Sequence, residues 1–364
     1  MKKVFYYLAL LPLMAGLTAC ENNDEPNPDD NSSDVKTTYG AYIVNTGNWN
    51  QNDASIQWYD LTTKEISGDI YNQENKKGIG DLQDLCIYGS KLYAISTTSS
   101  KIEILERNGK IVKTISMVNE AGQPKSPRYA TAADGYVFVS AQDGTVSKID
   151  TISMSIVATA QVGGYLEGLS YNKGKLFVNK SDYMSDGTGN SVYVIDTETM
   201  EKIKDITVVL NPYTQNIVGS DGYIYIVSNG NYAGAEWLPG EESWIYGTLQ
   251  RINPDTYEVE ELCNASYIAN RGDKMYILYS EYYLPDRAKC FVYDIKTKEE
   301  KEFIDFSSIS TPGGIAVDPN SDDVYIISNP YGQMSEVFVY DNEGNFKHKF
   351  ETGAYTTNIK FLSE

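Results

Sequence analysis

One histidine, His348, serves all 364 residues. It lies near the end of the chain in the stretch FKHKF, where it reads as a surface residue of an outer strand. With no other imidazole, the Ser-His-Asp, Cys-His and histidine-rich metal arrangements are out of reach. No Walker-type loop, dinucleotide fingerprint or spaced cysteine pair appears. The segments DPNSDD (318–323) and SDGTGN (185–190) hold enough oxygen ligands for calcium, but neither has the EF-hand spacing. The chain is therefore expected to be a binder and not an enzyme, with no cofactor.

Aromatic side chains are the more telling group. The chain has 30 Tyr, 10 Phe and 4 Trp, and many of these rings fall in polar, turn-like segments. Trp49 lies in TGNWNQNDA, Tyr183 in SDYMSDGTG, Tyr282 and Tyr283 in SEYYLPDR, and Tyr331 in NPYGQ. The segment GNYAGAEWLPGEESWIYG (230–247) carries Tyr232, Trp237, Trp244 and Tyr246. Further connectors add Tyr71, Tyr165, Tyr213, Tyr355 and the cation Arg128. Tyr and Trp give wide contact area at little rotamer cost, with a polar tip for hydrogen bonds, so they concentrate in binding sites.

The elements that hold these rings come from a repeat. NSVYVIDTETMEKIKDI (190–206) recurs seven times in degraded form, each copy a short alternating strand, a polar turn and a second strand. The turn-entry residues Asp60, Glu106, Asp150, Asp196, Asn253, Asp294 and Asp341 are 46, 44, 46, 57, 41 and 47 positions apart. A period in the forties is that of propeller blades. The aspartates at these turns are expected to bond backbone N–H groups and not to act as acids or bases.

Most copies are preceded by another strand pair, as in GGIAVDPNSDDVYIISN (313–329), LEGLSYNKGKLFVNK (166–180) and DLQDLCIYGSKLYAIS (81–96). The first of the pair is rich in Gly and Ala, which suits an innermost strand where blades converge. These features predict an all-β, seven-bladed β-propeller with four antiparallel strands per blade. AYIVNTG (41–47) has no first strand before it, and YTTNIKFLSE (355–364) has no second strand after it, so the carboxyl-terminal strand should close the first blade. Loops from second to third strands, and connectors between blades, then leave one end of the ring together. That end is expected to be a binding face, with the 230–247 insertion in blade 5 explaining the 57-residue spacing.

Residues 1–20 place Lys2 and Lys3 before an apolar run ending at Leu17-Thr18-Ala19-Cys20, the pattern of a signal peptide. The small residue before Cys20 resembles the bacterial lipobox, which implies lipid attached to Cys20 as a membrane anchor. Residues 21–38 (ENNDEPNPDDNSSDVKTT) read as a disordered acidic tether, leaving 39–364 for the propeller. The acidic stretch after the cysteine resembles the surface-export signal of Bacteroidetes lipoproteins. The formal net charge of −20 argues against nucleic acid as a partner. Cys86 falls in an inner strand, and Cys263 and Cys290 in outer strands of successive blades. Buried thiols are expected, with a Cys263–Cys290 disulfide allowed in an oxidising compartment.

GGIAVDPNSDDVYIIS and NSVYVIDTETM resemble the blade signature of the YVTN or YncE-like propellers over essentially all of 39–364. On a lipobox with an acidic tether and an aromatic loop face, the chain also resembles the cobalamin-capturing surface lipoproteins of gut Bacteroides. That resemblance implies an outer-membrane lipoprotein, exposed at the cell surface, that binds a corrinoid (cobalamin, vitamin B12) and passes it to a TonB-dependent transporter. A surface glycan-binding lipoprotein and a protein-interaction scaffold fit the same composition.

Overall fold

In the computed structural model the described residues are 37–363, without 49–50 and 183–186. Cys20 and the segments expected to be signal peptide and most of the tether lie outside them. Seven four-stranded antiparallel sheets follow one another along the chain. Blade 1 takes its innermost strand, Thr356–Ser363, from the far end of the chain, followed by Thr38–Asn45, Ser55–Asp60 and Ile66–Asp69. Blades 2 to 7 run in order through 84–116, 127–161, 166–207, 212–264, 267–304 and 312–354. The closure expected from the chain ends is thus present, with Ile43 opposite Ile359 in register.

Strand alternation builds the ring. In blade 7, Val324 and Ile326 pack into the seam with blade 6, while Tyr325 and Ile327 pack into the seam with blade 1. In blade 4, Val192 and Val194 face blade 5, and Tyr193 and Ile195 face blade 3. Side chains two apart share a face, so each strand supplies two seams at once. Apolar clusters fill the seams all the way round.

The repeat turns are held as expected. Asp60 accepts from the N–H groups of Thr62 and Thr63, both at 2.8 Å, and Asp294 from those of Lys296 at 2.9 Å and Thr297 at 2.7 Å. These bonds favour the carboxylate, holding Asp60, Asp150, Asp196, Asp294 and Asp341 below the ordinary range.

Several placements depart from the sequence reading, three of them away from the loop face. Tyr71 sits in a short helix, Ile70–Asn75, with its ring fully buried and its hydroxyl 2.8 Å from Glu103 Oε2. Asp69 caps that helix by accepting from Tyr71 N–H, which draws the ring into the core. Cys290 lies in the third strand of blade 6, not the outer one; both Cys263 and Cys290 are free thiols, in line with the expectation of thiols and without the disulfide that an oxidising compartment allows. Burial pushes each of these two thiols up to about 12. His348 is half-buried, with Nε2 2.7 Å from Tyr59 Oη across the blade 7–blade 1 seam.

Candidate ligand-binding face

The blade 5 insertion leaves Ser228 and returns at Thr248. Its neck is closed by backbone and side-chain bonds. Asn231 N–H donates to Ile245 O at 3.0 Å, Ile245 N–H to Asn231 Oδ1 at 2.8 Å, and Asn231 Nδ2 to Ser243 O at 2.8 Å. Gly230 is required here: φ is +67°, and a Cβ would lie 1.9 Å from Ile245 O. Beyond the neck, Ala233 and Ala235 are buried while Tyr232 and Trp237 are turned outward, Trp237 being 65% exposed. The result is a compact loop with joined ends, fixed before any ligand arrives.

Blade 6 meets it with a hairpin of unusual reach. Strands Lys274–Glu281 and Leu284–Asp294 are joined by Tyr282 and Tyr283 alone, so most of the segment read as a loop is strand. Glu281, buried just below the turn, accepts from Gly247 N–H at 2.7 Å and ties the hairpin to the insertion. Gly234 packs so close to Leu284 and Tyr283 that a Cβ would lie 2.8 Å and 3.2 Å from their side chains.

Four rings from the two blades come together. Trp237 and Tyr283 are 5.4 Å apart, Tyr232 and Trp237 6.4 Å, Tyr232 and Tyr283 6.5 Å, and Tyr282 and Tyr283 4.8 Å, all edge to face. Such packing fixes the rings against one another, and Trp237 and Tyr282 keep most of their surface in solvent. Tyr282 is 81% exposed, which leaves a contiguous aromatic patch at the seam of blades 5 and 6.

The insertion's other two rings belong elsewhere. Trp244 and Tyr246 lie 6.2 Å apart, with the Arg287 guanidinium 5.8 Å and 5.7 Å from their centroids. Arg287 Nη1 donates to Tyr246 Oη at 2.8 Å, and Nη2 lies 3.4 Å from Glu241 Oε1. Sequence reasoning passed over Arg287. Its signal was a cation in the same SEYYLPDR segment that supplied two of the patch tyrosines.

Arg128, read as a connector cation, begins the inner strand of blade 3 (Pro127–Ala133) and is buried. Its Nε is 2.7 Å from Glu167 Oε2 in the neighbouring inner strand, Nη1 donates to Gln83 at 2.6 Å, and Nη2 reaches Tyr213 Oη at 3.2 Å. Burial works against the guanidinium's charge, yet the Glu167 carboxylate, Tyr129 and Tyr213 together outweigh it and raise the proton affinity of Arg128. Tyr213 thus serves a polar network near the ring axis, at the start of its own inner strand (Pro212–Val218). Tyr331 is fully exposed and apart from the patch, Tyr165 is half-buried, and Trp49 and Tyr183 lie outside the described residues.

Among the described residues no three His, Cys, Asp or Glu side chains cluster as metal ligands. Within 318–323, Asp318 spends its carboxylate on Asn320 N–H at 2.9 Å and Ser321 Oγ at 2.7 Å. Part of 185–190 lies outside the described residues.

A family model described as "Domain of unknown function (DUF5074)" matches residues 39–356. No curated protein matches the chain. Solved structures share its architecture at low identity. Dihydro-heme d1 dehydrogenase NirN in complex with DHE is 13% identical at a TM-score of 0.58, covering 88% of this chain and 65% of that one. Hydrazine synthase of Kuenenia stuttgartiensis is 17% identical at 0.52, over 70% and 74%. The Pan2 WD40 domain of Neurospora crassa is 14% identical at 0.52, over 76% and 79%. At these identities the likeness is one of fold alone.

Proposed function

The chain belongs to the DUF5074 family, whose description assigns no function, and we propose that it captures a corrinoid, cobalamin, on the aromatic end of its propeller. The observation that carries this is the patch of Tyr232, Trp237, Tyr282 and Tyr283, built by two blades and held on a pre-closed loop. A corrinoid is a broad macrocycle fringed with amides. Exposed rings suit its body, and the tyrosine hydroxyls suit its amide fringe. The chain's one imidazole, His348, bonds Tyr59 in the blade 7–blade 1 seam, which argues against capture through an imidazole–cobalt bond. Affinity would come from contact area and hydrogen bonds, and the ligand would leave chemically unchanged.

In this reading the protein is an outer-membrane lipoprotein held by lipid on Cys20, handing its ligand to a TonB-dependent transporter. Titration of the purified chain with cyanocobalamin by calorimetry, alongside a thermal melt, tests it. Saturable one-to-one binding with a raised melting temperature supports corrinoid capture. Absence of heat and shift, together with saturable binding to polysaccharide, would replace it with glycan binding by the same rings.

A further inference from the structure

Blade 6 is built differently from its neighbours. In blades 3, 4 and 5 the outer strand runs to the top of the third strand, pairing Thr145 with Gln161, Ser191 with Thr207 and Thr248 with Asn264. In blade 6 the topmost such pair is Cys290 with Ile304, although the third strand continues back to Leu284. The chain leaves the sheet at Asp305, whose carboxylate accepts from Ser307 N–H at 3.0 Å and starts a single helical turn, Phe306–Ser308. The place of an outer strand beside Pro285–Lys289 is thus empty. It forms a cleft of 680 Å³ bounded by blade 6 and the 305–312 connector that leads to blade 7, a volume typical of ligand sites.

The floor of this cleft is apolar, with Phe291, Ile304, Phe306 and Ile309. Its rim carries three carboxylates, Glu300, Glu302 and Asp305, against one cation, Lys289. Lys289 is already used: Nζ is 3.3 Å from Glu300 and 4.2 Å from the Phe291 ring centroid. Among the described residues, Glu302 and Asp305 have no cation within ion-pair distance. The Ser307 N–H and hydroxyl both donate to the Asp305 carboxylate and hold it below the ordinary range. The acidic segment 21–38 would be repelled here, which argues against the chain filling its own cleft.

We propose that the cleft bounded by blade 6 and the 305–312 connector is a second binding site, taking a primary ammonium or guanidinium group on an aliphatic stem. The stem lies on the apolar floor and the cation faces Glu302 and Asp305, as lysine and arginine do when they cover apolar surface. The cleft shares no lining residue with the aromatic patch, so the proposal stands apart from the corrinoid reading.

Methyl-labelled protein titrated with n-hexylammonium, followed through the Ile304 and Ile309 signals, tests it. Saturable shifts are expected in the millimolar range, with hexan-1-ol much weaker. Glu302→Gln with Asp305→Asn, which keeps the helix cap, should weaken hexylammonium about tenfold. Ala288→Phe should block it, and Trp237→Ala should leave it unchanged. The same spectra report whether each variant is folded. Equal binding of hexan-1-ol, an unaffected double variant or no saturable shift would overturn the proposal. A short lysine peptide acetylated only at its amino terminus, with its side-chain ammonium free, separates the sources: competition marks the site as one for a protein partner's side chain, and its failure marks a free amine.

Discussion

Trp237 and Tyr283 meet edge to face at 5.4 Å although they hang from different blades. The contact joins the blade 5 insertion to the blade 6 hairpin, and Gly234, at φ +88°, leaves room beside it for the Leu284 and Tyr283 side chains. Most of the indole remains in solvent, so its removal costs little folding energy. Trp237→Ala should therefore weaken cyanocobalamin by about 2 kcal/mol, roughly thirtyfold, with a nearly unchanged melting temperature. Calorimetry and a thermal melt on the same sample check it. A collapse in melting temperature would make Trp237 a structural residue.

Trp244 should behave differently, because it packs with Tyr246 around Arg287. Arg287→Ala is expected to loosen residues 230–247, seen as faster limited proteolysis inside the insertion with the rest of the ring still protected. Arg287→Lys should not restore protection, since an ammonium cannot reach Tyr246 and Glu241 together while lying over both rings. Unchanged cleavage in both variants would remove the latch.

Ring closure rests on Thr356–Ser363. That strand buries Ile359, and Thr356 Oγ1 donates to Asn45 Oδ1 at 2.7 Å, joining residues 311 apart in sequence. A chain ending at Tyr355 would expose the inner edge of blade 1, and unpaired edges recruit other strands. Loss of a cooperative melt and a rise in aggregates by size exclusion are expected. A truncated chain that melted like the parent would show that the other blades hold the ring alone.

The fold was legible because its signals repeat. Asp60, Asp150, Asp196, Asp294 and Asp341 recur at one structural position, and the alternation around Val324 and Val192 states which faces stack. The site was legible only in outline. That 230–247 was an insertion rich in rings could be seen, but the separation of Tyr232 and Trp237 from Trp244 and Tyr246 depends on the closed neck at Asn231, a tertiary contact without sequence period. Arg128 was misplaced because one residue of strand boundary decides between a connector and a buried inner strand. Its partner Glu167 is a lone acid in a strand, which no local pattern marks as paired.

That pair gives a further prediction. Glu167 has no exposed surface and Arg128 very little. Glu167→Ala would leave a guanidinium buried without its counter-charge, at about 3–5 kcal/mol. Denaturant unfolding should show this as a lower midpoint. A shift below about 1 kcal/mol, the range of an exposed pair, would mean that water reaches Arg128 at the axis.

The last prediction concerns acid. His348 Nε2 pairs with Tyr59 Oη, while Nδ1 is buried without a hydrogen-bond partner. Burial, followed by nearby Lys64 and Lys347, lowers the imidazole's proton affinity below its ordinary value near 6.5. A group with a depressed folded pKa binds its proton more readily when unfolded, so acid favours the unfolded chain. Its contribution to stability is whole above pH 6.5, declines as pH falls through the lowered folded value, and is flat beyond it. The turn aspartates, also depressed, act in the same direction but only below the ordinary carboxylate range. The melting temperature should therefore fall in two stages on acidification. His348→Gln should remove the first stage and keep the second, and a first stage that survives this substitution would assign it to some other group.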